Sequence, residues 1–198
     1  MGSTPIYSIP FADPTDLVRD WPALSEDVAE AVEAAVAGVP VLAGIGSNVV
    51  SVTKVDTFST ASKTFVDVTG LTVTITPTTA TSKVLVMASL SISNPTNQFG
   101  AQGALLEGST VIGGTSVSNR PSATFFSNRS AAARDGFAPL HFVSLREPAT
   151  TDPVTYKIQI RTDQDGATTA FVNVSADDQD TANRPRLASS ITVIEVAA

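Results

Sequence analysis

TFVDVTGLTVTITPTTATSKVLVMASLSIS, residues 64–93, is the stretch from which the fold is read. Leu71, Val73 and Ile75 alternate with Thr72, Thr74 and Thr76, the period of two that sends apolar side chains to one face of a strand. Val84, Val86, Ala88, Leu90 and Ile92 repeat that period over a longer run, and Leu85 and Met87 make the second face apolar near its start. A strand apolar on both faces belongs in the middle of a sheet. Residues 77–82 form a Pro, Thr, Ala and Ser loop, and Thr69-Gly70 punctuates the chain after Phe65-Val66-Asp67-Val68. The expectation is three consecutive strands in a meander.

Downstream, the same signals recur. Residues 48–59 read as a first strand region, and 104–107 and 110–112 as two short strands among several glycines. Periodicity is lost from 115 to 135, where Arg120, Arg129 and Arg134 accompany Phe125-Phe126, so a long surface loop is expected there, suspicious as an interface. Strands resume at 137–146, at 154–161 where Val154, Tyr156, Ile158 and Ile160 alternate with polar residues, at 169–174 and at 189–196. About nine or ten strands joined by short loops imply a mainly β fold, an antiparallel two-sheet sandwich of jelly-roll type over residues 48–198.

Upstream, residues 1–47 form an arm. Pro5 and Pro10 keep MGSTPIYSIPFA extended, and Ile6, Tyr7, Ile9 and Phe11 in so short a peptide suggest docking on another surface. Asp13-Pro14 opens a short helix that Pro22 interrupts; strong helix formers run from 23 to 37, and Gly38 and Pro40 end them. Leu24, Val28, Ala31 or Val32, and Ala35 or Val36 share one face, with Glu26, Glu30 and Glu33 opposite. A helix of about fifteen residues is marginal alone in water. It needs either its own β domain or copies of itself as a partner. The small-residue link at 39–47 separates arm from sandwich.

Charge is distributed unevenly. The chain is 198 residues with net charge −7, from 19 acids and 12 bases. Residues 1–40 hold seven acids and Arg19, a net of −6, leaving twelve acids and eleven bases, a net of −1, for the rest. Neither part has the basic stripe that phosphate binding requires, so nucleic acid is not expected as a partner. With no cysteine, disulfides, thiolate metal sites and a cysteine nucleophile are excluded. No run approaches the about 20 apolar residues of a membrane span, and no basic-then-apolar leader opens the chain; membrane insertion is not expected.

Candidate chemistry is thin. His141, the one histidine, lies inside an expected strand, and no G-x-S-x-G elbow accompanies it. Glu107, Glu147, Asp163, Asp165, Asp177 and Glu195 could in principle supply a carboxylate pair, though most neighbour turn residues. Asp163-Gln164-Asp165-Gly166 resembles part of a calcium loop, but Val174 stands where an EF-hand needs its acid; Asp177, Asp178 and Asp180 are the better calcium candidate and read most simply as a solvated loop. Asn128-Arg129-Ser130 and Asn173-Val174-Ser175 match glycosylation acceptors. No catalytic residue, cofactor or metal is expected.

The run VTKVDTFSTASKTFVDVTGLTVTITPTTATSKVLVMASLSIS, then LLEGSTVIGG, PVTYKIQIRT and NRPRLASSITVIEV, resembles the β domain of virion surface proteins of tailed bacteriophages: tail fibres, head fibres and short capsid spikes. The arm TPIYSIPFADPTD with its alanine-rich helix resembles, more loosely, the start of phage minor tail or fibre proteins. The resemblance implies a homotrimer, made in the host cytoplasm and displayed on the virion surface. Its arm would bind a capsid or tail protein through Ile6, Tyr7, Ile9 and Phe11, with Leu24, Val28, Ala31, Val32, Ala35 and Val36 at the oligomer seam. The expected role is attachment, to a host surface glycan among other targets, with capsid decoration and lectin-like binding as alternatives. The link at 39–47 is too short for a fibre shaft, which favours a stubby spike or a decoration.

Overall fold

Strand periodicity, not helix propensity, dominates the architecture. A computed structural model describes residues 2–3, 10–11, 26–33, 48–94, 100–127, 138–163, 168–175, 178–182 and 184–196. The chain divides into two units, Met1–Ala43 and Gly44–Ala198. In the first, β1 (Gly2–Ser3) pairs antiparallel with β2 (Pro10–Phe11), as extended proline-containing backbone allows. Helix α1 covers 26–33, with Val28 and Ala31 half-buried and Val32 exposed. Ile6, Tyr7, Ile9, Leu24, Ala35 and Val36 lie outside the described residues.

The second unit is an antiparallel two-sheet sandwich. Its strands are β3 (Val49–Lys54), β4 (Phe58–Thr60), β5 (Val66–Ile75), β6 (Lys83–Ser93), β7 (Ala101–Glu107), β8 (Thr110–Ile112), β9 (Phe125–Ser127), β10 (Ala138–Arg146), β11 (Val154–Thr162), β12 (Ala170–Val172) and β13 (Ser189–Val196). One sheet has the order β3-β13-β6-β12-β4, with β10 on the other edge of β6; the second is β5-β11-β7-β8, with β9 also on β7. Eleven strands are therefore described in the sandwich, against the nine or ten expected. The excess comes from three-residue strands such as β4 and β9, too short to show a period. Strand β6 is central as expected: β10 pairs along one side, and β13 followed by β12 along the other.

The meander is overturned. β5 and β6 lie in different sheets, so residues 77–82 turn a corner of the sandwich and close no hairpin. A two-residue period fixes which face of a strand is buried but says nothing about its neighbour. The corner is held by Glu195, 117 residues from Thr78: Glu195 Oε1 accepts the Thr78 backbone N–H at 2.7 Å and the Thr78 hydroxyl at 2.6 Å. Glu195 Oε2 accepts Asn48 Nδ2 at 3.1 Å, which ties the first residues of the sandwich to its last strand.

Thr69-Gly70 is also corrected, because β5 runs straight through it. The register against β11 passes from Lys157↔Thr72 to Gln159↔Asp67, so the chain carries a bulge where a turn was expected. Gly70 supplies it with φ +87°, a conformation that costs a side-chain-bearing residue free energy. Phe125-Phe126 does not lie in a surface loop but opens strand β9. Phe125 is buried in strand β9 and meets the ring of Phe142 edge-on, with centroids 6.5 Å apart, whereas Phe126 stays exposed. The interior between the sheets is built from Leu71, Val73, Ile75, Val84, Val86, Leu90, Ile92, Leu105, Tyr156, Ile158, Ile160, Ile191 and Val193, all on the inward phase of their strands; Leu105 stands across from Ile158 in a β7 run buried on both faces.

Candidate functional site

The carboxylates were the residues from which reaction chemistry would have to come, and Glu107, Glu147, Asp163, Asp178 and Glu195 each have a structural partner. Glu107 accepts the Tyr156 hydroxyl at 2.8 Å and a forked pair from Arg146, Nε at 3.1 Å and Nη2 at 2.8 Å, which bridges the two sheets at one end of the sandwich. Burial first, then the bond to Glu107 and its charge, push the Tyr156 phenol well above its ordinary pKa. Glu147 pairs with Lys83 at 2.7 Å, and that ammonium holds the Glu147 carboxyl below its usual range. Both acids line a depression of about 380 Å³ with Gly108, Pro148, Pro153, Val154 and Thr155, but each already faces its own cation.

Asp163 Oδ2 accepts the Gly100 N–H at 2.6 Å, and Asp178 pairs with Arg186 at 2.5 Å. Asp180 is exposed, and Asp165 and Asp177 lie outside the described residues. Among the described residues no group of three His, Cys, Asp or Glu side chains could hold a metal ion. His141 stands exposed on the outer side of β10, above a depression of about 240 Å³ lined by Met87, Ser89, Val143, Ser190 and Thr192 among others, with no carboxylate in the lining. A base with no acid to orient it has none of the geometry of a triad. Arg120 closes a tight turn with Val117 by mutual backbone hydrogen bonds of 3.0 and 3.1 Å; Arg129 and Arg134 lie outside the described residues.

Glu195 and Asn173, candidates for a carboxylate pair and for glycosylation, are both buried, which the sequence did not reveal. Glu195 is 1% exposed and sits in phase with Ile191 and Val193, on the inward face of β13. Desolvation works against its charge, yet hydrogen bonds from the hydroxyls of Thr78 and Ser82, the Thr78 N–H and Asn48 outweigh it and hold its pKa at about 2. Its alternation with two core residues was the signal that could have revealed it. Asn173, at φ +63°, is fully buried: Nδ2 donates to the carbonyls of Lys54 at 2.8 Å and Asp56 at 3.0 Å, and Oδ1 accepts the Ser189 hydroxyl at 2.7 Å. Its amide nitrogen is thus consumed, and the Asn173 sequon is closed to glycosylation in the folded domain.

One of the two outward faces of the sandwich, that of the sheet β3-β13-β6-β10, is uncharged over three rows. Leu145, Leu85, Ile194 and Val49 lie directly across from one another in successive strands and make one row. Val143, Met87, Thr192 and Ser51 make the next, followed by His141, Ser89, Ser190 and Thr53. Val143 is 62% exposed, and Val49 and Leu145 are each 50% exposed. No acid or base other than the histidine stands in these three rows. The signal was already present in Leu85 and Met87, read as marking a central strand; β6 is central, but these side chains face outward.

Among the described residues no helix is long and apolar enough to cross a membrane. No protein-family model and no curated protein matches the chain. Among solved structures, the chain is similar to infectious bursal disease virus VP2 in a subviral particle, at 13% identity and a TM-score of 0.41, over 75% of this chain and 32% of that one. It is also similar to the T=1 particles derived from that virus, at 12% identity and 0.35, over 75% of this chain and 39% of that one. The Gx strain of the same virus matches at 15% identity and 0.35, over 76% and 36%. This chain therefore spans about a third of the length of the chains it matches.

Proposed function

We propose that this protein is a non-enzymatic structural module of a bacteriophage virion, displayed as a short trimeric fibre or spike that attaches the particle to a host or environmental surface. The observation that carries the reading is the division of labour in the sandwich: Glu107, Glu147, Glu195 and Asn173 are committed to structural bonds, and one of the two outward sheet faces is uncharged and partly apolar over three rows. Such a surface suits contact, which needs area and shape, more than catalysis, which needs converging polar groups. The strand and turn runs over 48–196 that resemble phage surface proteins support the same assignment.

In this reading residues 1–47 are the attachment arm and 48–198 the displayed domain. Ile6, Tyr7, Ile9 and Phe11 dock on a capsid or tail protein, and Leu24, Val28, Ala31, Val32, Ala35 and Val36 gather three copies, whose weak single contacts then gain avidity. Phage particles carrying a deletion of residues 1–20 test it: the expected result is loss of the protein from particles while the free protein keeps its trimeric mass. Normal incorporation would refute the docking role. The nine-residue link at 39–47 also suits a capsid decoration protein. Particles lacking the protein separate the two, since loss of adsorption marks attachment and loss of heat or osmotic resistance marks reinforcement.

A further inference from the structure

We infer that the outer face of the second sheet, around Arg161 of β11, Gln102 of β7 and Phe126 of β9, is a binding site for a saccharide that carries a carboxylate. The inference rests on the attachment reading and names the chemistry to which the protein attaches. The three residues stand in one row: Arg161 lies directly across from Gln102, and Gln102 across from Phe126. Partners across a ladder share a face, and Phe125, on the opposite phase of β9, is the residue that enters the core. Ring and guanidinium therefore flank Gln102 on the solvent side, from strands about 10 Å apart.

What singles out Arg161 is how it is held. Lys54, Lys83, Arg146, Lys157 and Arg186 each meet a carboxylate at 3.0 Å or less. Arg161 is fixed by neutral groups instead: Nε donates to Gln102 Oε1 at 2.9 Å, Nη1 donates to the Lys63 carbonyl at 3.0 Å, and the guanidinium carbon lies 5.3 Å from the centre of the Phe65 ring. Acids in phase with it on this face are engaged elsewhere, Asp67 with Lys157 and Gln159, and Asp163 Oδ2 with the Gly100 N–H. Two of the five guanidinium N–H groups are used, which leaves three, with their direction set and their charge unmatched at ion-pair distance. A guanidinium oriented in advance is a forked receptor for a carboxylate.

Phe126 is 54% exposed, yet its ring is seated: a Cβ at Gly100 would collide with its Cε2 and Cζ, so the ring packs where the glycine leaves room. Asp163 fixes Gly100 in turn by accepting its N–H at 2.6 Å. Gln102 spends its Oε1 on Arg161, which turns its amide into a pure donor toward a ligand. The row thus offers an aromatic face, amide donors and a cation. Its complement has C–H surface for the ring, oxygen acceptors at its rim and one carboxylate, which is the chemistry of an acidic sugar ring. Peptide capture by strand addition is closed here, because β7 already has β11 on one side and β8 and β9 on the other, while β11 lies between β5 and β7. One unmatched guanidinium in a chain of net charge −7 is also too little for a polyphosphate backbone.

The test presents the full chain with an array of uronate- and sialate-bearing oligosaccharides, each beside its carboxyl-reduced, neutral counterpart. Acidic members should bind, their reduced forms should not, and binding should weaken as salt is raised. Gln102→Glu keeps the shape of the row while handing Arg161 a carboxylate of its own, so affinity for the acidic saccharides should fall about 10- to 100-fold. Phe126→Ala should lower it about 3- to 10-fold through the lost stacking face. Both variants should retain the circular dichroism of the sandwich. Binding of neither form, equal binding of acidic and reduced forms, or a Gln102→Glu variant that binds as well as wild type would overturn the site. Adsorption of particles lacking the protein keeps the two readings apart. If they fail to adsorb while the chain binds no acidic saccharide, the site is overturned and attachment stands; if they adsorb normally, attachment is overturned and the array alone decides the site.

Discussion

Replacing Glu195 by Gln removes one negative charge from beneath the corner at residues 77–82 and replaces one acceptor oxygen by a donor. Thr78 N–H, the Thr78 hydroxyl and Asn48 Nδ2 all point donors at this carboxylate, so the amide leaves at least one of them facing another donor. A pKa held at about 2 against an ordinary 4.5 is a displacement of about 2.5 units, equivalent to about 3 kcal/mol at 1.36 kcal/mol per unit. Thr78 is exposed and Asn48 only half-buried, so screening reduces this to about 2 kcal/mol. The folded pKa lies below the unfolded one; the contribution is therefore complete above pH 4.5 and fades as pH falls from there through about 2. Urea unfolding followed by far-ultraviolet circular dichroism, at constant protein concentration because association also contributes, is the suitable assay. Fluorescence is less suitable, since Trp21, the one tryptophan, belongs to the arm. Glu195→Gln should cost about 2 kcal/mol at pH 7 and little near pH 2. A difference that stays constant between pH 7 and pH 2, or one below about 0.5 kcal/mol at neutrality, would refute the role given to this carboxylate.

Three further substitutions probe the fold by the same unfolding assay. Phe125→Ala should cost about 3–5 kcal/mol as a core truncation, while Phe126→Ala, half-exposed beside it, should cost well under half of that; equal effects would contradict the burial of Phe125. Gly70→Ala should cost about 1–2 kcal/mol through its positive φ alone, because the added Cβ would meet only the Lys54 side chain at 3.8 Å; a neutral result would argue for a different bulge. Tyr156→Phe should cost about 1–1.5 kcal/mol by deleting the bond to Glu107, with Arg146 still in place to pair that carboxylate. A loss several times larger would mean that Glu107 depends on the phenol more than on the guanidinium.

What could be read directly was whatever is encoded within a few residues. The alternation in 84–92 and 154–160 placed β6 and β11 and assigned their inward faces, because strand period and burial are local properties of the backbone, while 189–196 was legible as the last strand without its faces. The sandwich class followed from the number and spacing of such runs. The Thr69-Gly70 bulge looked like a turn because glycine serves both, and only the partner strand β11 distinguishes them. Phe125 looked exposed because a three-residue strand in a polar stretch carries no period.

The candidate surface divides in the same way. Leu85 and Met87 were visible as apolar residues on the second face of their strand, but a row exists only once β10, β6, β13 and β3 are set side by side in register. Those pairings join residues separated by up to about 145 positions, and nothing in a short window specifies them. The sequence by itself therefore determined the strands, their buried sides and the acidic, helix-bearing arm. Tertiary structure alone decided that the chain changes sheets at residues 77–82, that Glu195 holds that corner, and that four strands assemble three uncharged rows on one sheet face, since each depends on groups brought together only by folding.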